Sequence, residues 1–237
     1  MLKKTLIVAG SAVVLLGGAY WAYDYYAGNH VEVKQVIPAS ASAENNGNAV
    51  EAGESPAAAA AALDPQKLNG TWSIQPESAV YFSVTTSKET VNFEIPAVEG
   101  AWKLDTADVG QMTAEGTVDL TKLSSGNGQR DGHIMSGDFL QVDQFPQAKF
   151  TVKSFGELPK EWKEGEVYPM TLNGTLELRG MSKDITFDSE VMVEQDLLKL
   201  QGKSMVTFDD FGMKNPHTVV LDTENNVALQ LSLIMKQ

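Results

Sequence analysis

Met170–Arg179, reading MTLNGTLELR, decides the fold. Met170, Leu172, Gly174, Leu176 and Leu178 share one parity, while Thr171, Asn173, Thr175, Glu177 and Arg179 share the other. That is how a strand with one face in a core and one in water is written. The same period of two runs through Val227, Leu229, Leu231 and Leu233, through Ile185, Phe187, Val191 and Val193, and through Val80, Phe82 and Val84. Shorter alternations stand at Val91–Ile95, Trp102–Leu104, Met112–Leu120 and Leu198–Phe208. Turn signals separate these runs at Glu99-Gly100, Lys163-Glu164-Gly165, Arg179-Gly180, Gln201-Gly202 and Glu224-Asn225-Asn226. Short strands at such spacing, with no long segment of helical period, predict an all-β sandwich or barrel. A barrel is preferred because closing roughly eight strands removes exposed edges and leaves an interior that side chains just fill, or that holds one small ligand.

The formal net charge of −13 argues against a nucleic-acid partner, which clustered Lys and Arg would be needed to hold. Cysteine is absent, which removes disulfides, thiolate metal sites, a cysteine nucleophile and an acylated lipoprotein cysteine. With His30, His133 and His217 scattered along the chain, the sequence offers no multi-histidine zinc site. No metal or cofactor is expected.

Three regions are expected. Residues 1–26 open with Lys3 and Lys4, run without charge from Leu6 to Tyr23, and end among Tyr20, Trp21, Tyr23, Tyr25 and Tyr26. The run is long enough for a transmembrane helix, and the aromatics fit an interfacial belt. A cleaved signal peptide is the rival reading. Either way Lys3 and Lys4 stay on the cytoplasmic side, which places the remainder in the periplasm, anchored to the inner membrane or released from it. Residues 27–67 are rich in Ala, Ser, Gly, Glu and Asn and read as a flexible, low-complexity linker. Residues 68–237 form the barrel domain.

Leu123–Phe150, LSSGNGQRDGHIMSGDFLQVDQFPQAKF, breaks the strand pattern. Gly126, Gly128 and Gly132 surround Arg130, Asp131 and His133, so the stretch is expected to leave the sheet, cap one end, and return as a strand at Ala148–Val152. A short helix near Asp131–Phe139 fits that cap. Arg130, Asp131 and His133 are candidates for a head-group site, since a guanidinium forks onto phosphate or carboxylate. The competing reading has Arg130 and Asp131 holding the loop in shape and His133 as a buried hydrogen-bonding residue. Asn127, Gln129, Asp131, Gly132 and Asp138 mimic calcium-loop spacing, but Gln129 and the short Asp138 carboxylate weaken the match.

Ser125-Gly126-Asn127, Arg130-Asp131, His133-Ile134, Asp138-Phe139, Phe145-Pro146 and Phe150 resemble the central signature of the YceI-like family of bacterial lipid- or polyisoprenoid-binding proteins. The resemblance extends to Trp72-Ser73-Ile74, Pro76, Ser78 and Phe82, and to Gly174-Thr175-Leu176, Leu178-Arg179-Gly180, Lys183 and Asp210-Phe211-Gly212. It implies an eight-stranded antiparallel lipocalin-like barrel and a bound isoprenoid or other long-chain lipid. No enzyme is expected, since the sequence holds no nucleophile motif such as G-x-S-x-G and no metal cluster. Gln75-Pro76 and Glu77-Ser78 replace the family's common Asp-Pro and His-Ser, and Asp209-Asp210 stands where Arg is common. These acids suit an apolar chain better than an anionic head group.

Small residues on the apolar parity are candidates for a lumen. Ala114 and Gly116 interrupt Met112 and Val118, Gly174 separates Leu172 from Leu176, and Gly202 and Ser204 lie between Leu200 and Val206. Either they leave volume along the axis or they mark bend points. The expected ligand-binding set is Arg130, Asp131, His133, Phe139, Ala114, Gly116, Gly174 and Leu176. Two other functions stay open: a lipid-phosphate hydrolase built on Arg130, Asp131 and His133, and a ligand-free adaptor domain with a filled barrel.

Overall fold

The computed structural model describes residues 31–39, 62–216 and 222–237. The alternating runs become β1 (Gly70–Ile74), β2 (Ala79–Thr86), β3 (Thr90–Pro96), β4 (Ala101–Leu104), β5 (Thr113–Asp119), β6 (Gln147–Phe155), β7 (Val167–Leu178), β8 (Met181–Glu194), β9 (Leu197–Thr207) and β10 (Thr223–Lys236). β1 and β2 pair with the same edge of β10, through Ile74↔Met235 and Val80↔Leu231, so they are two halves of one stave. β3 and β4 form the next stave, paired to β2 and β1 respectively. β5 to β9 follow in order, and β9 pairs with the other edge of β10 from Leu197↔Lys236 to Thr207↔Asn226. The result is the expected closed antiparallel barrel of eight staves. A further short pairing, Ala62–Leu63 with Trp162–Lys163, lies outside this circuit.

Where the first stave is broken between β1 and β2, a side chain takes over the ladder. The Ser78 hydroxyl donates to Ile234 O at 3.2 Å and accepts from Ile234 N at 2.9 Å, while Gln75 N donates to Ile234 O. Ser78 is 1% exposed, so an unpaired backbone group there would carry a desolvation cost.

Along the staves the core follows the parity read from the sequence. Trp72 and Trp102 are cross-strand partners, Phe82 stacks on Phe93 with centroids 4.5 Å apart, and Phe150 meets Phe187 edge to face at 5.1 Å. One end is filled: Leu68, Trp102, Leu104, Met112, Trp162, Met170 and Leu198 surround a gap of only ≈ 10 Å³. We call this end the floor. The other end carries the expected cap, which contains α1 (Gly128–Met135), begins at the Asn127 side chain and returns as β6.

Residues 31–39, which fall within the expected flexible linker, lie across the outside of the barrel. Asn92 Nδ2 donates to Val31 O at 2.9 Å and Ser232 Oγ donates to Lys34 O at 2.9 Å. Ile37 is fully buried with Val36, Val167 and Met192. Burying one Ile contributes about 1.5–3 kcal/mol. Residues 62–67, at the linker's other limit, also pack on the barrel, with Asp64 capping a single turn at Pro65–Leu68. The expected membrane segment, residues 1–26, lies outside the described residues. Among those described, no helix is long and apolar enough to cross a membrane.

The strap formed by residues 31–39 leaves a titratable marker. Tyr81 is on the outer face yet 1% exposed, and its hydroxyl donates to Glu94 Oε1 at 3.1 Å. Burial first, and the Glu94 charge second, push the phenol up to about 12. With the folded value above the ordinary one of about 10, the stabilisation is complete below that pH and is lost as pH rises toward the folded value. Subtracting the ultraviolet phenolate titration of Tyr81→Phe from that of the wild type should therefore isolate one phenol with a midpoint near 12. A midpoint near the ordinary value would show that the strap does not cover Tyr81 in solution.

Candidate ligand-binding cavity

Between the packed floor and the cap, the inward side chains leave two chambers stacked along the barrel axis. The upper, of ≈ 100 Å³, is walled by Phe82, Val84, Leu178, Val206, Val227 and Leu229 and roofed by Ile134, Phe139, Phe208, Phe211 and Met213. The lower, of ≈ 70 Å³, is walled by Ile74, Val80, Gly116, Phe150, Phe187, Leu231 and Leu233. Leu176 and Ala148 line both, so they form the waist between them. Both linings are almost wholly apolar. Glu115 and Lys149, at the edge of the lower chamber, are tied to each other at 2.7 Å.

The roof is held from outside. β7 and β8 are joined through Arg179 and Gly180, both at positive φ (54° and 71°), which is the backbone of a two-residue hairpin turn. Gly180 has a second reason to lack a side chain, since a Cβ there would lie 2.7 Å from the Phe145 ring. From this turn Arg179 Nη1 donates to Phe211 O at 3.0 Å and Gly212 O at 2.7 Å, and Nη2 reaches Gly137 O at 3.5 Å. One guanidinium thus clasps the turn after β9 and the loop after α1. Lys183 adds an ion pair to Asp210 at 2.6 Å, and that hydrogen bond, with the Thr207 N–H behind it, holds the Asp210 carboxyl below the usual carboxylate range. Inside, Phe139 meets Phe208 edge to face at 6.4 Å.

The structure sorts the candidate residues. Leu176, Gly116 and Phe139 line the chambers. Gly174 does not leave open volume, contrary to the lumen reading, because the Phe150 ring fills the place of its side chain: a Cβ would sit 2.6 Å from Phe150 Cζ and 2.4 Å from Thr151 O. Gly202 is filled in the same way by Ser189 Oγ at 2.5 Å. Ala114 is buried in the core opposite Trp102 and lines neither chamber. Arg130, Asp131 and His133 come together on α1, but none of them lines a chamber. Asp131 Oδ1 accepts from Ser125 N at 2.7 Å and Ser125 Oγ at 2.6 Å, which holds the entry to the helix. Arg130 Nη2 stands 4.0 Å from Glu89 Oε1 on the β2–β3 hairpin. His133 is exposed rather than buried, its ring edge to face with Phe139 at 5.0 Å. α1 also occupies the calcium-like spacing: Asn127 Oδ1 caps Gln129 N and Arg130 N instead of facing an ion. Sequence reasoning missed Arg179 as the clasp and Phe208, Phe211 and Met213 as roof. Arg179 and Phe211 were visible only as members of the Leu178-Arg179-Gly180 and Asp210-Phe211-Gly212 motifs, with nothing to say what they hold.

Fold and cavity together define a small closed β-barrel with an apolar interior. The YceI-like domain family matches residues 72–235, and the chain belongs to that family. Protein YceI of Salmonella arizonae is 30% identical over 98 residues, 41% of this chain and 47% of that protein, so the chain spans about half the length of the curated relatives it matches. Among solved structures, BcnA of Burkholderia cenocepacia superposes with a TM-score of 0.58 at 16% identity, covering 66% of this chain and 95% of that one. A polyisoprenoid-binding domain from Saccharophagus degradans, implicated in plant cell wall breakdown, gives the same TM-score and identity over 70% and 97%. At that identity the two structures bear on the fold alone.

Two outcomes test this geometry. Gly174→Ala should destabilise the domain by about 1–3 kcal/mol, the cost of overpacking, whereas Gly116→Ala, whose Cβ would meet nothing nearer than Val98 Cγ1 at 3.6 Å, should change it little. Urea unfolding of both variants decides it, and equal effects would contradict the contact with Phe150. Arg179→Met should speed amide hydrogen exchange at Phe211–Met213 while leaving β7 and β8 protected. Unchanged exchange there would mean that the clasp does not hold the roof.

Proposed function

We propose that the protein binds a long apolar lipid non-covalently in the barrel interior, an isoprenoid being the favoured class, and sequesters or carries it on the periplasmic side. The observation that carries this reading is the pair of apolar chambers separated only by the side chains of a waist and closed by a roof pinned from outside. Each CH₂ moved from water into such a space gains about 0.8 kcal/mol, so affinity needs few polar contacts. Each chamber is smaller than the roughly 300–1,000 Å³ of ordinary ligand pockets. A long chain therefore enters by turning Leu176 and Phe150 aside and joining the chambers. The packed floor leaves the cap as the route in, and the Arg179 and Lys183 contacts are the ones that opening breaks.

Belonging to the YceI-like family and sharing a fold with a neighbour described as polyisoprenoid-binding support the choice of cargo. A head group, where the cargo has one, stays outside the chambers beside α1, where His133 is exposed. Binding is favoured over hydrolysis because Asp131, one of the three candidate hydrolase residues, is held by Ser125 at the helix entry.

Native mass spectrometry of the purified protein, followed by organic extraction, should find a stoichiometric prenyl or acyl adduct. Leu176→Phe should lose most of that adduct with its circular dichroism intact, and Leu176→Ala, which widens the waist, should retain it. A folded Leu176→Phe carrying undiminished lipid would remove the waist from the path. A wild type without adduct would favour a packed adaptor domain.

A further inference from the structure

We infer that residues 31–39 orient the barrel so that its capped end, not its floor, faces the bilayer from which the lipid comes. The inference rests on the reading of residues 1–26 as a retained membrane helix. Asn92, which holds Val31 O, lies two positions from Thr90, the first residue of β3. The preceding residue, Glu89, stands beside Arg130 of α1, so the N-terminal end of the strap sits at the cap rim. Its other end does not: Ile37 packs on Val167, at the start of β7, and on Met192, near the end of β8, beside the floor. Between these points the strap crosses the barrel wall, bonded at Ser232 and salt-bridged from Lys34 to Glu94 at 3.8 Å.

Direction and length then set the orientation. The Ala-, Gly- and Ser-rich stretch that reads as a tether is flanked on both sides by residues seated on the barrel, Ile37 and Ala62, so it does not connect the barrel to the membrane. What connects them is Ala27, Gly28, Asn29 and His30. Four residues span at most about 14 Å when fully extended. A freely jointed linker of roughly forty residues would give a root-mean-square reach of about 35 Å and let either end of the barrel meet the surface. The clamped strap removes that freedom. It keeps the rim of β2, β3 and α1 within the reach of four residues and places the roofed chamber against the lipid source.

The absence of cysteine makes the test direct, because single Cys residues can carry spin labels without background. Lys88, at the tip of the β2–β3 hairpin, and Lys160, in the floor-side loop, are both exposed. The full chain is reconstituted into phosphatidylcholine vesicles doped with a nickel-chelating lipid. Lys88→Cys should show several-fold stronger paramagnetic broadening than Lys160→Cys. Adding Ile37→Asp, with folding checked by circular dichroism, should collapse that difference. Equal broadening at both sites on floating vesicles would overturn the orientation while leaving the anchor standing. A Lys88 preference that survives Ile37→Asp would overturn the strap as its cause. Protein that fails to float with the vesicles would overturn anchor and orientation together.

Discussion

Every other feature of this molecule depends on the pairing of β10 along both of its edges. A 14-residue strand at the C-terminal end holds β9 on one side and the two halves of the first stave on the other. Until it docks, β9 and β2 are open edges with unpaired N–H and C=O groups. Closure also creates two environments. Alternate residues turn inward, so Val227, Leu229, Leu231 and Leu233 become chamber wall, while Ser232 turns outward to hold the strap. One parity thus builds the cavity and the other builds the strap's seat, on the same strand.

The chambers are small because aromatic rings occupy the middle of the barrel. Phe150 lies over Gly174 and against Phe187, and it narrows the lumen where Leu176 and Ala148 already meet. An aromatic at a waist can swing about χ1 and χ2 without breaking backbone hydrogen bonds, so the interior can lengthen while the sheet stays whole. The roof obeys a different logic. Its inner face is apolar and its outer fastening is made of backbone carbonyls taken by one guanidinium and a carboxylate taken by one ammonium. The partly exposed Lys183–Asp210 pair contributes little by itself, and the Arg179 clasp is the more covered of the two fastenings.

The strands, their parity and the cap were legible because those signals are local: a period of two and a glycine-rich interruption. The two glycines of the lumen were not told apart, because the difference lies across strands. Gly116 and Gly174 sit in similar apolar alternations, yet only Gly174 receives a ring, and that depends on the register between β6 and β7. Arg179 was hidden for the same reason, since its partners are 32 and 33 positions away and a turn Arg is ordinarily a solvated one. His133 gave no sign of its exposure, because a single histidine near a Phe is compatible with either side of a helix. The strap did leave a trace: Val31, Val33, Val36 and Ile37 form an apolar knot in an otherwise polar stretch, too short to fold alone but enough to dock.

That knot changes what the low-complexity stretch means. Composition speaks to whether a segment can bury enough surface to fold by itself, and residues 27–67 cannot. It does not speak to whether part of the segment finds a seat on a neighbour already folded, where the ordering entropy of a few residues is offset by one fully buried Ile and a set of hydrogen bonds to groups the barrel presents anyway. The outer wall of β2, β3 and β10 supplies that seat with Tyr81, Ser83, Asn92 and Ser232, joined by the Glu94 carboxylate that faces Lys34. Two of these groups, the Asn92 amide and the Ser232 hydroxyl, donate to strap carbonyls. The strap, residues 31–39, is therefore part of the folded unit.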